Sequence, residues 1–195
     1  MIIWLNGAFG SGKTTCAYEL QRRLQDSFVY DPENLGFFLR DNLPEQMKKS
    51  DFQDYPEWRK INYQLLYSLA NEYEGTIIVP MTLIKQQYYQ EIIERLAEQG
   101  IKIKHFIIHA QKSTLIKRLN KRLEFGNSWG KQKIDQCIYA FEHEICQEKI
   151  ITDQQTIDQV VEEIAKRAGV KLLPDHRNQL RKRLDRIQTQ WQHIR

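Results

Sequence analysis

Continuous apolar runs alternate with helically spaced ones along this chain. MIIWL (1–5), bounded by Asn6-Gly7, reads as a buried strand. Ala17, Leu20 and Leu24, at spacings of three and four, predict a helix over 14–24. FVYD (28–31) is a second strand closed by Pro32, and 34–49 is helical in part, interrupted by Pro44. DFQDYP (51–56) reads as a turn. Pro56 suits the first turn of a helix whose inner face carries Trp58, Ile61, Leu65, Leu69 and Tyr73. After Gly75, TIIVP is a third strand; 86–99 is a helix with Ile92, Ile93 and Leu96 inward, stopped by Gly100. KIKHFIIHA (102–110) is a fourth strand, followed by the helix TLIKRLNKRL with Ser113 as its N-cap. A loop at 126–130 precedes a helix over 132–142. IIT (150–152) is a fifth strand, and Thr156 caps IDQVVEEIAKRA, which Gly169 ends. Pro174 begins a separate C-terminal helix. Five strands alternating with helices predict an α/β fold, a parallel sheet covered on both faces by right-handed crossovers.

Composition adds little to that picture and charge adds one thing. With 195 residues, 41% hydrophobic and 28% charged, the chain suits one soluble domain with a proper core. No apolar stretch approaches the ~20 residues that span a bilayer. The N-terminus lacks a basic leader region and a small-residue cleavage site, so the expected location is cytoplasmic. Cys16, Cys137 and Cys146 are far apart and lack metal-ligand spacing, so reduced thiols are expected. Residues 175–195 hold Arg177, Arg181, Lys182, Arg183, Arg186 and Arg195 against Asp175 and Asp185, and so carry the whole net charge of +4.

The first strand runs into Gly7-Ala8-Phe9-Gly10-Ser11-Gly12-Lys13-Thr14, followed by Thr15 and a helix. This is G-x-x-x-x-G-K-[ST] in its required strand–turn–helix context. Glycines let the backbone curl until several N–H groups converge on anionic oxygens, and the helix N-terminus adds partial positive charge there. Lys13 reaches the outer phosphates and the Thr14 hydroxyl holds Mg²⁺. The alternative is a glycine-rich turn followed by a coincidental Lys-Thr. ATP is preferred to GTP, because no Asn-Lys-x-Asp guanine-reading run is present.

Phosphoryl transfer also needs cations on the moving group and a residue that orients the acceptor hydroxyl. Arg118 and Arg122, four apart on the helix after the fourth strand, form a candidate clamp, and the FGNSWGK loop behind them is a candidate lid bringing Lys131. The competing reading is a solvated basic helix face. Asp31 ends the second strand, where ligands of open parallel sheets bind. It is a candidate to accept a hydroxyl proton or to hold Mg²⁺ through water, set against the reading of an Asp-Pro turn initiator. The third strand ends in Pro80-Met81-Thr82, without the carboxylate that often supports Mg²⁺ there, leaving Thr82 as a candidate water or substrate contact. In the insertion at 32–73, aromatic residues including Phe37 and Trp58 are candidates to stack on a flat base or line an apolar groove, about half of them being core instead. Arg40 and Arg59 are the candidates to meet an anionic substrate.

MIIWLNGAFGSGKT, VYDPE, the DFQ-YP-WR stretch at 51–59, IVPMT, KRL before the NSW loop, Thr152-Asp153 and the closing HIR resemble, nearly end to end, the tunicamycin-resistance ATP-binding proteins of bacilli. More distantly the layout is similar to shikimate, gluconate and nucleoside monophosphate kinases. The resemblance implies a P-loop NTPase of nucleotide-kinase type, with a five-stranded parallel sheet in the order 2-3-1-4-5. It further implies a domain over 1–173, with an acceptor-binding insertion at 32–73 and a lid at 123–133, and then an amphipathic helix at 174–195. It implies ATP binding and protection against a nucleoside antibiotic carrying uracil, sugar hydroxyls and an acyl chain. Phosphorylation of that drug, ATP-dependent sequestration of it, a kinase for another small hydroxyl metabolite and a membrane-associated ATPase all stay open.

Leu180, Leu184, Ile187, Trp191 and Ile194 form a narrow apolar stripe among arginines. A helix docked on the domain is the plain expectation. A helix lying on an anionic membrane surface and a homodimer seam are the sharper ones. Nucleic acid is not expected, since no reader motif accompanies the small basic patch.

Overall fold

A computed structural model describes residues 1–121 and 128–193, the last of these from 190 onward as backbone only. β1 (Ile2–Asn6) lies at the centre of a five-stranded parallel sheet, with β3 (Thr76–Pro80) on one side and β4 (Ile103–His109) on the other. β2 (Ser27–Val29) pairs with β3 and β5 (Glu148–Ile151) with β4, so the order is β2-β3-β1-β4-β5. In register, Trp4 lies between Val79 and His105.

Every residue of β1 is buried, as a strand with neighbours on both edges and helices on both faces requires. One layer, Ile3, Leu5, Ile78, Phe106 and Ile108, packs on α1 (Lys13–Arg23) and α8 (Ile157–Ala168). The other, Ile2, Trp4, Ile77, Val79 and Ile107, packs on α3 (Pro56–Glu72) and on α7 (Trp129–His143). It also meets the helix formed by α4 (Gln86–Tyr89), a π turn (Gln90–Glu94) and α5 (Arg95–Glu98). Burying each large apolar side chain contributes about 1.5–3 kcal/mol. His105 sits in this second layer, stacked on Tyr89, and neither ring nitrogen has a hydrogen-bond partner. Burial pulls its imidazole down to about 3, so it stays neutral and packs as an aromatic disc.

Several elements depart from the expected pattern. The inner face of α3 is Trp58, Asn62 and Leu66 with Arg59, not the run through Ile61 and Leu65; Leu65 is exposed. Two polar residues occupy the buried face because both have partners. Asn62 Oδ1 accepts from the Tyr30 hydroxyl at 2.7 Å, and Arg59 pairs with Glu91. Ser113 is not an N-cap: α6 (Lys112–Lys121) begins one residue before it. The cap comes from another loop, where Asp153 accepts from the Gln111 N–H at 3.0 Å and from the Thr114 hydroxyl at 2.7 Å. Thr156 does cap α8, in a reciprocal box with Gln159, and Gly169 closes that helix at φ 73°.

The C-terminal helix, α9 (Gln179–His193), starts five residues later than Pro174 and is docked on α1, but by the opposite face from the one its apolar stripe suggests. Leu180, Leu184 and Ile187 are 74%, 61% and 43% exposed. The inward face is charged. Glu19, 1% exposed on α1, takes Arg177 at 2.7 Å and Arg22 at 3.0 Å. Arg186 and Lys182 reach Asp158, and Lys182 also reaches Asp175. Arg177 holds the Asp175 carboxyl well below the usual carboxylate range. Glu19, Asp158 and Asp175 bring carboxylate oxygens within 4.8 Å of one another, and these cations fill the space between them. Among the described residues no helix is long and apolar enough to cross a membrane.

Candidate active site

The turn between β1 and α1 wraps the carboxyl end of the central strand. Gly7 (φ 151°) admits no side chain: a Cβ there would lie 2.6 Å from the Ile108 carbonyl oxygen and 2.7 Å from Ser11 Oγ. Gly10 (φ 82°) is equally tight, with the Leu115 carbonyl oxygen 2.9 Å from such a Cβ. Three braces hold the curl, two of them buried. Asn6 Oδ1 accepts from the main-chain N–H groups of Gly7 (2.9 Å) and Leu83 (3.0 Å). The Thr82 hydroxyl donates to the Gly7 carbonyl at 2.8 Å. Arg118 donates to the Ser11 carbonyl at 3.2 Å and to Thr152 at 3.0 and 2.7 Å. Inside the curl, Ser11 Oγ is 2% exposed and has no hydrogen-bond partner. A buried hydroxyl left unpaired costs about 1–3 kcal/mol.

Lys13 opens α1, is 7% exposed, and lies with Nζ 5.3 Å from the Phe9 ring centroid. Thr14 is partly exposed on the first turn and Thr15 is buried beneath it; Ala8 is buried in the loop. Asp31, just past β2, is half-buried, and its Oδ1 accepts from the Glu33 N–H at 3.0 Å. That Asx turn opens α2 (Glu33–Asn42) and puts two carboxylates on one turn of chain. Burial, and then the Asp31 charge, push the Glu33 carboxyl up to about 7 against the pull of Lys13. Burial and the same Asp31 charge raise the Tyr18 hydroxyl to about 12 and carry Tyr30 in the same direction. Glu33 was not among the sequence candidates. Its only signal was its place two residues after Asp31 in DPE.

The remaining candidates divide by burial. Trp58 is fully buried and donates its indole N–H to the Pro32 carbonyl at 3.0 Å, fixing the turn that carries Asp31 and Glu33. Arg59 is also interior: Nε meets Glu91 at 2.5 Å, Nη1 donates to the Gln53 carbonyl at 2.7 Å, and the guanidinium stacks on Tyr88. Gln53 in turn donates to the Thr82 carbonyl at 3.0 Å, so Arg59 and Thr82 connect the insertion to the phosphate loop. Trp58, Arg59 and Thr82 are thus all buried and bonded to main chain. Phe37 and Arg40 do reach the surface, with the Arg40 guanidinium 5.0 Å from the Phe37 ring centroid. Arg118 donates to the main-chain carbonyls of Ser11 and Thr152 and to the Thr152 hydroxyl. Arg122 and positions 123–127 of the expected lid lie outside the described residues; Lys131 is on the first turn of α7.

Residues 2–143 match the family model described as an AAA domain. The structure of Deinococcus radiodurans tunicamycin resistance protein superposes with a TM-score of 0.76 at 30% identity, covering 89% of this chain and 98% of that one. The chain belongs to the tunicamycin resistance protein family, within the P-loop kinase-like AAA-domain group. A sugar kinase from Janibacter sp. HTCC2649 (17% identity, 85% of this chain and 92% of that, TM-score 0.59) shares the fold. So does Mycobacterium tuberculosis APS kinase in complex with AMPPNP and APS (17% identity, 85% and 95%, TM-score 0.55). No match was found among curated proteins. The sheet order, β2-β3-β1-β4-β5, is the one the sequence reading expects.

Proposed function

We propose that this protein is an ATP-dependent phosphotransferase that inactivates a nucleoside antibiotic of the tunicamycin type by phosphorylating one of its hydroxyls. The observation that carries the reading is the juxtaposition of an anion-ready loop and a carboxylate that titrates near neutrality. Ser11 Oγ lies unpaired inside the curl, and Glu33 is close enough to Lys13 to feel its charge. The main-chain amides of 7–13, Lys13 and the Thr14 hydroxyl would hold ATP and Mg²⁺, which supply the phosphoryl group and neutralise its charge. Glu33 takes the proton of the acceptor hydroxyl as that oxygen bonds to the γ-phosphorus and the bond to ADP breaks. Asp31, whose Oδ1 already accepts from the Glu33 N–H, orients the hydroxyl or a metal-bound water. Exposed Arg40 and partly exposed Phe37 are left as the substrate contacts of the insertion.

One observation favours a second reading, in which the drug is captured without transfer: β3 ends at Pro80 and continues as Met81-Thr82, with no carboxylate to support a metal. Incubating the full chain with ATP·Mg²⁺ and tunicamycin, then weighing the drug by mass spectrometry, separates the two. The expected result is a drug heavier by one phosphoryl group, with one ADP formed per modified molecule. Unmodified drug retained by the protein contradicts transfer and supports capture. The solvent-facing stripe of Leu180, Leu184 and Ile187, flanked by exposed Arg181 and Arg183, suits peripheral contact with an anionic membrane surface.

A further inference from the structure

We propose that Trp129, held against Phe9 of the phosphate loop, is the surface on which a planar, carbonyl-bearing ring of the acceptor stacks; this rests on the phosphotransferase reading above. Trp129 is the first residue of α7, and its ring centroid lies 5.0 Å from that of Phe9 at an interplanar angle of 75°. Phe9 carries the Lys13 ammonium on its other contact, so only one side chain separates the indole from the lysine that meets the outer phosphates. Gly130 permits this approach: a Cβ there would sit 3.2 Å from Phe9. Cys137, two turns on, is buried against the Phe9 main chain and fixes the helix from below.

Trp129 is nonetheless 43% exposed, whereas Trp4 and Trp58 are fully buried. Lys133, one turn along, lies 5.8 Å from its ring centroid, and the charge of Lys133 is felt by Asp51 in the turn ahead of α3. The start of α7 therefore lies within electrostatic reach of that turn. The indole is both open and already oriented, so a ligand stacking on it orders little that was mobile. The Lys133 ammonium, which also donates to Gln136 Oε1, has further N–H donors for ring carbonyl oxygens such as a uracil-type ring presents. A sugar alone offers no π face to this surface.

Calorimetric titration of uridine, and separately of ribose, into the full chain saturated with AMPPNP·Mg²⁺ tests the assignment. Uridine should bind and ribose should not. Trp129→Ala should weaken uridine by roughly 5- to 100-fold, the range expected for loss of one base–aromatic stack. Trp129→Phe should keep most of the affinity, and both variants should hold AMPPNP within about twofold of the parent, as a surface residue outside the loop should. Uridine binding unchanged in Trp129→Ala, ribose binding as well as uridine, or no uridine binding beside normal AMPPNP binding each overturns the stacking role while leaving the nucleotide site standing. Failure of the parent chain to bind AMPPNP overturns the underlying reading itself.

Discussion

Glu33→Gln should lower phosphoryl transfer to the drug by about 10²- to 10⁴-fold, the usual contribution of a positioned general base, while AMPPNP binding changes little. The amide keeps the shape and loses the ability to take a proton. Because burial and Asp31 raise the Glu33 carboxyl to about 7, kcat/KM should climb through that pH in the parent enzyme as Glu33 ionises. The inflection should vanish in Glu33→Gln. Stability should move the other way. A carboxyl whose folded pKa exceeds its unfolded value near 4.5 contributes stability fully below pH 4.5, and that contribution is lost as pH rises through about 7. At pH 8, Glu33→Gln should therefore be more stable than the parent by about 1–2 kcal/mol. Asp31→Asn differs: it alters the turn that positions Glu33, so it should change KM and kcat together. A Glu33→Gln enzyme with an intact pH inflection would return the proton acceptor to Asp31.

Arg177→Ala should destabilise the fold by about 3 kcal/mol, because it strips the main cation from a carboxylate buried on the helix behind the phosphate loop. Arg22 at 3.0 Å and Arg186 at 3.6 Å remain near Glu19, which keeps the loss at the lower end of the range for breaking a buried pair. For a domain of this size the melting temperature should fall by about 6–12 °C. Adding Glu19→Gln should recover about half of that loss, since the stranded charge is then gone. Docking by this face should also weaken as pH falls below about 4, where the undocked chain protonates Asp175 while the docked one, held ionised by Arg177, does not. A melting temperature for Arg177→Ala within 1 °C of the parent would mean that α9 is not held through Glu19.

The parallel sheet and the tight glycine turn after β1 were legible because each has a local signature: unbroken apolar runs for buried parallel strands, and glycines at fixed offsets before Lys13-Thr14. What the sequence concealed lies in contacts between distant segments. Trp58 and Arg59 look like ligand contacts in a list of aromatic and basic residues, yet Pro32 and Glu91, 26 and 32 residues away, draw them inside. Asn62 belongs to the core only because the Tyr30 hydroxyl satisfies it. Asp153 caps a helix forty residues earlier, which no windowed reading detects. In α9 the apolar stripe is genuine, but the buried charge on Glu19 outweighs it in choosing which face docks. Glu33 stood in plain view in DPE. Its chemistry depends on desolvation beside Asp31 and Lys13, which composition does not encode.

Calorimetric titration of AMPPNP·Mg²⁺ into the full chain tests the central claim most directly, namely that the curl of main chain around Ser11 receives a triphosphate. One site per chain is predicted, and Lys13→Ala should abolish it without lowering the melting temperature by more than a few degrees. Absence of binding at millimolar AMPPNP, or equal binding by Lys13→Ala, would contradict the account.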